Sequence, residues 1–323
     1  MKIVYFGTPE FAASQLDAIL NAGFDVVAVV TTPDKPAGRG KKIHCSEVKE
    51  CALKHGLPVL QPEKLREFSF VDKLHSLHAD LFVVVAFRML PELIWKMPPM
   101  GTINLHASLL PQYRGAAPIN HAIINGETRT GLTTFFLDKE IDTGAVILQK
   151  PVPIDENDDA GTLHDKLMLE GNKVIVETIE MIENGCANAI SQNRIFDADT
   201  IVLKPAPKIF KNDCYINWNK QKNEIKNFVR GLSPYPAAHA LLKNGDEEIL
   251  DLKIFEVEIE EKNDCDVPDF KVITDGKSFL KVVLRDGFVK ILKIQQPGKK
   301  VMSIADFLIG ARLSEDLEII LKA

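Results

Sequence analysis

The chain has 323 residues, of which 46% are apolar and 26% are charged, and its formal net charge at pH 7 is −6. The length favours two domains over one, and the composition is that of ordinary globular proteins. Charges or prolines interrupt every long apolar run, which excludes a membrane span. The negative net charge argues weakly against a nucleic-acid partner, although an average can conceal a basic surface.

The five cysteines indicate a reducing compartment, because their number is odd and no two have Cys-x-x-Cys spacing. The apolar start of the chain is broken at Gly7, too soon for a signal peptide, and we therefore expect a cytoplasmic protein. A zinc site made of His44, Cys45, Cys51 and His55 is an alternative to ordinary loop and helix residues. Their spacing matches no familiar site, so we predict that the protein binds no metal.

The first half of the chain alternates strand-like and helix-like segments. Strands are predicted at residues 2–6, 24–31, 58–60, 79–87, 101–105, 130–137 and 145–149, and helices at 11–20, 46–55 and 162–183. A capping box at Thr162 and Asp165 is expected to open the last of these helices. Nearly all-apolar strands are typical of sheets covered on both faces. The alternation predicts an α/β fold with a doubly wound, Rossmann-like parallel sheet.

The pattern changes in the second half. Residues 190–208 are rich in Asn, Asp and Ser and contain two prolines, which predicts a linker. After it, strands are predicted at residues 215–218, 238–243, 249–259, 270–274, 278–284 and 288–295, and helices at 223–231 and 303–312. Short antiparallel strands of this kind indicate a small OB-like β-barrel. We therefore divide the chain into an α/β domain at 1–189, a linker at 190–208 and a barrel domain at 209–323.

Charge is segregated within the barrel region. Residues 246–270 contain eleven Asp and Glu against two Lys, whereas residues 271–300 contain eight Lys and Arg against two Asp. Such segregation permits a basic face on an acidic protein. The alternative to a basic binding face is an ordinary solvated sheet surface. From the charges alone we favour this second interpretation.

The most informative stretch follows the predicted strand at residues 101–105. Asn104 and His106 are two residues apart, so they point to the same side of the strand, between apolar neighbours. Ligands of open α/β sheets bind at this end of the strands. Two adjacent polar groups are costly to bury without a task, although a strand-end Asn and His can also serve a structural role.

A second polar element, residues 138–144, directly follows the strand at 130–137 and contains Asp142. Taken alone it is a charged turn between two strands. Together with Asn104 and His106 it can support an acyl transfer, in which an amine attacks a formyl carbon through a tetrahedral oxyanion. Asn104 and a protonated His106 supply donors to that oxygen, and Asp142 takes the amine proton directly or through water.

These residues form an Asn-x-His-x-Ser-Leu-Leu-Pro run starting at Asn104 and an Asp-x-x-x-Asp-Thr-Gly run starting at Asp138. The combination resembles the formyltetrahydrofolate-dependent formyltransferases, and the resemblance extends over nearly the whole chain. It implies 10-formyltetrahydrofolate as the co-substrate and no metal. It also implies that the catalytic residues are Asn104, His106 and Asp142, and that the folate contacts are Ser108, Leu109, Leu110 and Pro111.

A Gly/Pro-rich basic loop at residues 32–42 indicates the branch of this family. It is similar to the insertion with which the methionyl-tRNA branch grips the acceptor end of the tRNA. The resemblance implies transfer of the formyl group to initiator methionyl-tRNA for translation initiation. We also expect a monomer that does not bind membranes. The resemblance also implies a tRNA-binding barrel, to which the basic residues 271–300 would contribute. The loop residues expected to contact tRNA are Lys35, Arg39, Lys41 and Lys42.

Three positions depart from the family pattern. The loop at residues 86–91 lacks the common glycine, Glu140 stands where glycine is common, and Gln112 stands where a basic residue is common. Two rival functions stay open from the residues alone. One is formyl transfer to a small amine, such as glycinamide ribonucleotide or an amino sugar. The other is a non-catalytic RNA-binding protein that retains the α/β domain as a relic.

Overall fold

The structure is a computed structural model that describes residues 1–37, 42–195, 202–245, 248–262, 268–311, 313–314 and 317–321. Its residues form two compact units, each gathered from several stretches of the chain. The first unit comprises Met1–Pro118, Thr130–Pro153 and His164–Pro205, and the second comprises Ile119–Arg129, Ile154–Leu163 and Ala206–Ala323. None of the helices in the described ranges combines the length and the apolar composition that a membrane crossing demands.

The first half of the chain contains nine strands and seven helices among its described residues. The strands are β1 (Lys2–Gly7), β2 (Asp25–Val30), β3 (Lys35–Ala37), β4 (Lys42–His44), β5 (Val59–Leu60), β6 (Leu81–Val85), β7 (Thr102–His106), β8 (Arg129–Phe136) and β9 (Val146–Pro153). The helices are α1 (Glu10–Asn21), α2 (Glu47–Lys54), α3 (Phe68–His75), α4 (Glu92–Trp95), α5 (Pro118–Ile124), α6 (Ala160–Glu183) and α7 (Gln192–Ile195).

Seven of these strands form one sheet in the order β5-β2-β1-β6-β7-β8-β9, whereas β3 and β4 pair as a separate hairpin. The strands from β5 to β7 run parallel to their neighbours, and β8 runs antiparallel to β7. Both faces of the central strands are covered. On one face Phe6 and Phe82 pack with Leu74 of α3, and on the other the Tyr5 hydroxyl donates to the Ala12 carbonyl of α1. The predicted Rossmann-like fold is confirmed.

Two of the predicted boundaries in this half that are wrong have a local cause. Strand β6 ends at Val85 and not at residue 87, because Ala86 has a positive φ of 45° and cannot continue a strand. Helix α6 begins at Ala160, and its reciprocal cap joins Asp159 and Thr162, not Thr162 and Asp165. Asp is as good an N-cap as Thr, and the sequence offers both residues three positions apart.

The second half of the chain folds around a second seven-stranded sheet. Its strands are β10 (Ala238–Asn244), β11 (Glu248–Glu260), β12 (Val272–Thr274), β13 (Leu280–Leu284), β14 (Gly287–Gln295), β15 (Met302–Ser303) and β16 (Leu317–Ile319), and its helices are α8 (Lys222–Leu232) and α9 (Ile304–Gly310). The order is β12-β13-β14-β11-β10-β16, with β15 on β14. A bridge between Lys271 and Glu318 joins the two ends of this order, so the antiparallel sheet is a nearly closed barrel. The predicted barrel is confirmed.

The predicted strand at residues 215–218 is wrong. Tyr215 makes a single bridge to His239, while Ile216 and Trp218 are buried in the barrel core. The alternation of apolar residues there reflects core packing in an irregular segment and not pairing in the sheet. Strands β15 and β16, of two and three residues, were not predicted.

The segregated charges of the barrel region meet across neighbouring strands. Strand β11 carries much of the acidic run and pairs with β14, and β14 pairs with β13. The resulting side-chain ion pairs are Lys293–Glu256 at 2.5 Å, Lys290–Glu258 at 3.1 Å and Lys281–Glu260 at 2.9 Å. Opposite charges on adjacent strands are favourable neighbours, as in the first two pairs, whereas Lys281 of β13 reaches Glu260 of β11 across β14. These three lysines are therefore already paired with acidic side chains, and the contribution of residues 271–300 to tRNA binding stays a prediction.

Candidate active site

Strand β7 brings two of the predicted catalytic residues to the carboxyl end of the first sheet. Asn104 stands opposite Val84 of β6 on one side and Phe135 of β8 on the other, and His106 stands opposite Thr133. Because side chains alternate along a strand, Asn104 and His106 share one face. His106 is buried and Asn104 is half-buried.

The ring of His106 has one nitrogen committed and one available. Its Nε2 lies 2.9 Å from the backbone carbonyl oxygen of Tyr113. A carbonyl oxygen only accepts, so Nε2 must carry the proton in this contact. Nδ1 is then the nitrogen that can take or give a proton, and it lies 3.8 Å from Oδ2 of Asp142. The structure thus brings together two predicted residues from distant segments.

Asp142 lies in the loop between β8 and β9, in a backbone conformation that favours glycine. Its φ is 56°, which Asp tolerates better than most residues. Its Oδ2 accepts a hydrogen bond of 2.9 Å from the backbone N–H of Gly115. The side chains of His106 and Asp142 are only 8% and 15% exposed. A carboxylate and an imidazole in such a shielded position interact more strongly than a surface pair.

The predicted folate segment, Ser108 to Pro111, follows β7 and is anchored by its backbone. The Thr133 hydroxyl donates to the Ser108 carbonyl at 2.6 Å and accepts from the Leu110 N–H at 3.1 Å. The Gln149 amide donates to the Leu110 carbonyl at 2.7 Å. The side chains of Ser108 and Leu110 are fully buried, whereas Leu109 is half-buried. The segment is therefore rigid, and its side chains point mainly inward.

The loop that follows β6 is tied down by the residue that replaces the family's common glycine. Arg88 donates through Nη1 to the Glu63 carbonyl at 2.8 Å and through Nη2 to the Pro62 carbonyl. Burial lowers the pKa of this guanidinium. These two hydrogen bonds tie the loop after β6 to the segment that precedes α3.

The side chain of Gln112, where the family often has a basic residue, also makes backbone contacts. Its amide donates to the Val202 carbonyl at 3.1 Å, and its Oε1 accepts from the Lys204 N–H at 2.9 Å. These contacts hold the later chain segment against the folate segment. Gln112 is therefore a structural tether in this protein.

A part of the basic loop forms a hairpin, in which Lys35 of β3 stands opposite His44 of β4. Lys35 is exposed. Asp34 is bound by the Lys49 ammonium at 2.5 Å and by the Gln61 amide at 2.7 Å, and the hydrogen bond from Lys49, followed by that from Gln61, lowers the pKa of its carboxyl. Arg39 and Lys41 lie outside the described residues, as does the side chain of Lys42.

Two of the four cysteines and histidines considered as zinc ligands lie near each other. Cys51 lies in α2 and His55 directly follows this helix. Their side chains lie near that of Asp17 of α1, and the potential ligand atoms of the three residues are within 4.8 Å of one another. His55 already contacts Asp17 through Nε2 at 2.8 Å, and burial, followed by the charge of Asp17, raises the pKa of the Cys51 thiol. This group is remote in sequence from the predicted catalytic residues.

One buried polar residue at the site was not predicted from the sequence. Gln192 opens α7, within the segment interpreted as a linker, and contacts both Arg114 and the loop that carries Asp142. The preceding Ile190 pairs with Val146 of β9, which brings this segment to the sheet. A glutamine in a polar stretch carries no periodicity or motif that could have revealed it.

Comparison with known proteins assigns the chain to a family. Residues 1–179 match the family model described as formyl transferase, and residues 208–312 match that of the formyl transferase C-terminal domain. A curated relative from Bacteroides thetaiotaomicron, named methionyl-tRNA formyltransferase, is 52% identical over 316 residues, covering 98% of this chain and 97% of the relative. Another of that name, from Flavobacterium johnsoniae, is 49% identical over 320 residues, covering 99% of each chain.

Solved structures show the same fold at lower identity. The sugar 3N-formyl transferase WlaRD, crystallised in the presence of dTDP and 5-N-formyl-THF, superposes with a TM-score of 0.64 at 21% identity, covering 93% of this chain and 99% of WlaRD. HypX from Aquifex aeolicus, in one of its solved forms, gives a TM-score of 0.62 at 16% identity, covering 97% of this chain and 49% of HypX. Both family models and the relatives of matching length agree, and the chain belongs to the formyl transferase family.

Proposed function

We propose that this protein transfers the formyl group of 10-formyltetrahydrofolate to the amino group of methionyl-tRNA. The observation that carries the proposal is the shielded pair of His106 and Asp142, 3.8 Å apart at the carboxyl end of β7. The relatives named methionyl-tRNA formyltransferase match both halves of the chain, which favours methionyl-tRNA over a small amine as the acceptor.

In the proposed reaction the acceptor nitrogen bonds to the formyl carbon, and the bond from that carbon to the folate nitrogen breaks. The acceptor nitrogen loses a proton and the folate nitrogen gains one, so protons balance. Asn104 donates to the oxyanion, and its location on the same strand face as His106 supports this role. Nδ1 of His106 gives or takes a proton, because Nε2 is held by the Tyr113 carbonyl. Asp142 accepts the amine proton directly or through water.

We further propose that the folate co-substrate lies along the segment from Ser108 to Pro111. The side chains of Ser108 and Leu110 are buried and held from inside, so recognition by this segment would rely on the fixed shape of its backbone and on Leu109. A surface that is already held in place binds a ligand with little loss of conformational freedom. A Leu109→Ala variant should therefore weaken folate binding while leaving tRNA affinity unchanged, which equilibrium binding of each ligand would measure.

The tRNA contacts proposed for the basic loop are Lys35, Arg39, Lys41 and Lys42. The pairing of Asp34 with Lys49 removes the only acidic side chain of residues 32–42 from competition for these cations. A guanidinium between two glycines can fork onto phosphate or stack on a terminal base, which an ammonium does less well. We expect Arg39→Ala to reduce formylation of methionyl-tRNA strongly, Arg39→Lys to restore it only in part, and folate binding to be unchanged.

The acceptor assay tests the proposed function itself. The full-length protein is given 10-formyltetrahydrofolate with methionyl-tRNA, with glycinamide ribonucleotide or with a nucleotide-linked amino sugar, and the formyl group is followed. Formylation of methionyl-tRNA alone is expected. Transfer to either small amine in preference to methionyl-tRNA would support the rival formyltransferase, and tRNA binding without any transfer would support the non-catalytic protein.

Several expectations from the sequence stay predictions. They are the monomeric state, the cytoplasmic location, the absence of a bound metal, and the boundaries at residues 1–189, 190–208 and 209–323.

A further inference from the structure

Gln192 is a buried glutamine in a segment whose composition suggests a linker. It is the first residue of α7 and is 2% exposed. The chain just before it is fixed to the sheet, because Ile190 and Val146 exchange two backbone hydrogen bonds of 2.8 Å. Burying an amide is costly unless its hydrogen bonds are made, so a glutamine at this depth has to be held by specific partners.

All four hydrogen-bonding positions of the Gln192 amide are occupied. Its Nε2 donates to the backbone carbonyls of Asp142 and Gly144, both at 2.9 Å. Its Oε1 accepts from Arg114, at 3.2 Å from Nε and 2.6 Å from Nη2. These partners fix the direction of the amide, since the reverse orientation would set its N–H groups against a guanidinium and its oxygen against two carbonyls.

The two carbonyls belong to a closely packed loop with an unusual backbone conformation. Asp142 has a positive φ of 56°, and a Cβ on Gly144 would lie 1.7 Å from the backbone oxygen of Phe136. Gln192 holds this loop on both sides of Thr143. The backbone carbonyl of Asp142 is held by Gln192, and its side-chain Oδ2 faces the Gly115 N–H and His106.

We propose that Gln192 is a positioning residue for the reaction. It fixes the backbone of Asp142 so that the carboxylate stays directed at Nδ1 of His106, and it locks that loop to Arg114, the neighbour of Gly115. Two independent ties then hold the carboxylate, one through the side chain to Gly115 and one through the backbone to Gln192. The expected effect on kcat rests on the proposed formyl transfer, whereas the placement of the Asp142 carboxylate beside His106 does not depend on which acceptor is used.

The test compares Gln192→Met with a matched variant, Gln15→Met. Gln15 is equally buried, and its Nε2 also makes two hydrogen bonds, to the Met168 carbonyl at 2.8 Å and to Asn172 at 2.9 Å, without touching the site. Both changes replace a buried amide by a thioether of similar length, so both are expected to lower the unfolding midpoint. Only Gln192→Met is expected to lower kcat, by roughly tenfold to a hundredfold, because small misplacements of a reacting group are costly.

Two further readouts separate positioning from simple loss of structure. KM for methionyl-tRNA and for the folate should stay within about threefold in Gln192→Met, since uniform binding is unaffected. In an Asp142→Asn background, Gln192→Met should cause no additional loss of kcat, because the residue acts through Asp142. Unchanged kcat in the single variant, or a full additional loss in the double variant, would overturn the proposal.

A spectroscopic measurement needs no catalytic activity. The imidazole signals of His106, identified by their absence in His106→Ala, are recorded by NMR at one neutral pH in the wild type, Gln192→Met, Gln15→Met and Asp142→Asn. The chemical shifts in Gln192→Met should move toward those of Asp142→Asn, because the carboxylate no longer stays beside Nδ1, and those in Gln15→Met should match the wild type. Unmoved chemical shifts in Gln192→Met would overturn the positioning role even if the proposed acceptor is wrong, and a wild type inactive on methionyl-tRNA with moved chemical shifts in Gln192→Met would overturn the proposed function alone.

Discussion

The two sheets of this protein use charge in opposite ways. At the end of the first sheet, His106 and Asp142 form a pair whose side chains are 8% and 15% exposed. On the barrel, Lys293 and Glu256 approach more closely, to 2.5 Å, but their side chains are 58% and 47% exposed. The charged groups of the barrel pair are closer together, whereas those of the active-site pair are better shielded from water.

The difference shows why distance alone does not rank ionic contacts. Water screens the barrel pair, and such pairs contribute little to stability. Water screens the buried pair of His106 and Asp142 less, so its electrostatic interaction is stronger. Its polar atoms also have fixed hydrogen-bond partners, the Gly115 N–H and the Tyr113 carbonyl. Changes at the site should therefore alter function strongly, and changes to the barrel pairs should alter little.

The largest effect is expected from Asp142→Asn and Asn104→Ala. Each removes a group proposed to act on the reacting atoms, and turnover should fall roughly a hundredfold to a thousandfold while tRNA affinity stays near normal. Steady-state formylation and equilibrium tRNA binding measure the two quantities. The matched control is Asp165→Asn, which alters an exposed His–Asp pair formed with His164 on α6 at 3.0 Å. An equal loss in the control would contradict the contrast between buried and exposed pairs.

A smaller loss is expected from Gly144→Ala. The added Cβ would lie 1.7 Å from the Phe136 backbone oxygen, so the loop that carries Asp142 has to shift. A shift of about 1 Å in a reacting group costs roughly a hundredfold in rate. Gly310→Ala, at the end of α9, is the control, because its Cβ would meet nothing within 4 Å. Wild-type turnover in Gly144→Ala would show that the loop tolerates movement without cost to the reaction.

A pH-dependent effect on stability alone is expected from Asp275 in the β12–β13 turn. Hydrogen bonds from the Ser278 hydroxyl and N–H and from the Lys277 and Phe279 N–H groups hold the pKa of its carboxyl far below the usual range. A carboxyl with a lowered pKa in the folded state stabilises the fold above its unfolded pKa of about 4, and this stabilisation is lost as pH falls toward the folded value.

The urea midpoint of Asp275→Ala should therefore lie below that of the wild type at neutral pH, and the gap should narrow progressively below about pH 4. Turnover at neutral pH and saturating substrates should be unaffected, because none of the residues proposed to act on the formyl group belongs to this turn. A gap that is independent of pH down to the acid limit would show that the carboxyl charge is not what stabilises the turn.

The smallest effect is expected from Lys293→Gln and Lys290→Gln on the barrel. Their ammonium groups already pair with Glu256 and Glu258, so the unfolding midpoint, turnover and tRNA affinity should all stay close to wild type. A several-fold loss of tRNA affinity with a shallower salt dependence would instead show that these lysines leave their partners to bind phosphate. That outcome would support the basic contact surface expected from the resemblance.

Local pattern predicted much of the architecture. The valine-rich strands near residues 24–31 and 79–87 identified a sheet buried on both faces, and the face shared by Asn104 and His106 follows directly from strand alternation. The ion pairs of the barrel could not be foreseen, because they depend on the register of β11 against β14. Register sets which residues meet across strands, and it is decided by the whole barrel and not by either strand.

The site itself was only partly accessible from the sequence. The motifs identified His106 and Asp142, but not the tautomer that the Tyr113 carbonyl imposes on the ring. Gln192 was invisible for a different reason. Its role arises from long-range contacts with residues about 50 and 78 positions away, at Asp142 and Arg114, and such contacts leave no periodic trace in the chain.

The most direct test of the central claim, that His106 and Asp142 act as one unit, is a double-mutant cycle on the rate of a single turnover. His106→Ala, Asp142→Asn and the double variant are each saturated with 10-formyltetrahydrofolate and methionyl-tRNA, and the rate of formyl transfer is measured. Groups that act together are strongly non-additive, so the double variant should be about as slow as the slower single variant. Losses that multiply in the double variant, or single variants within a few-fold of wild type, would contradict the account.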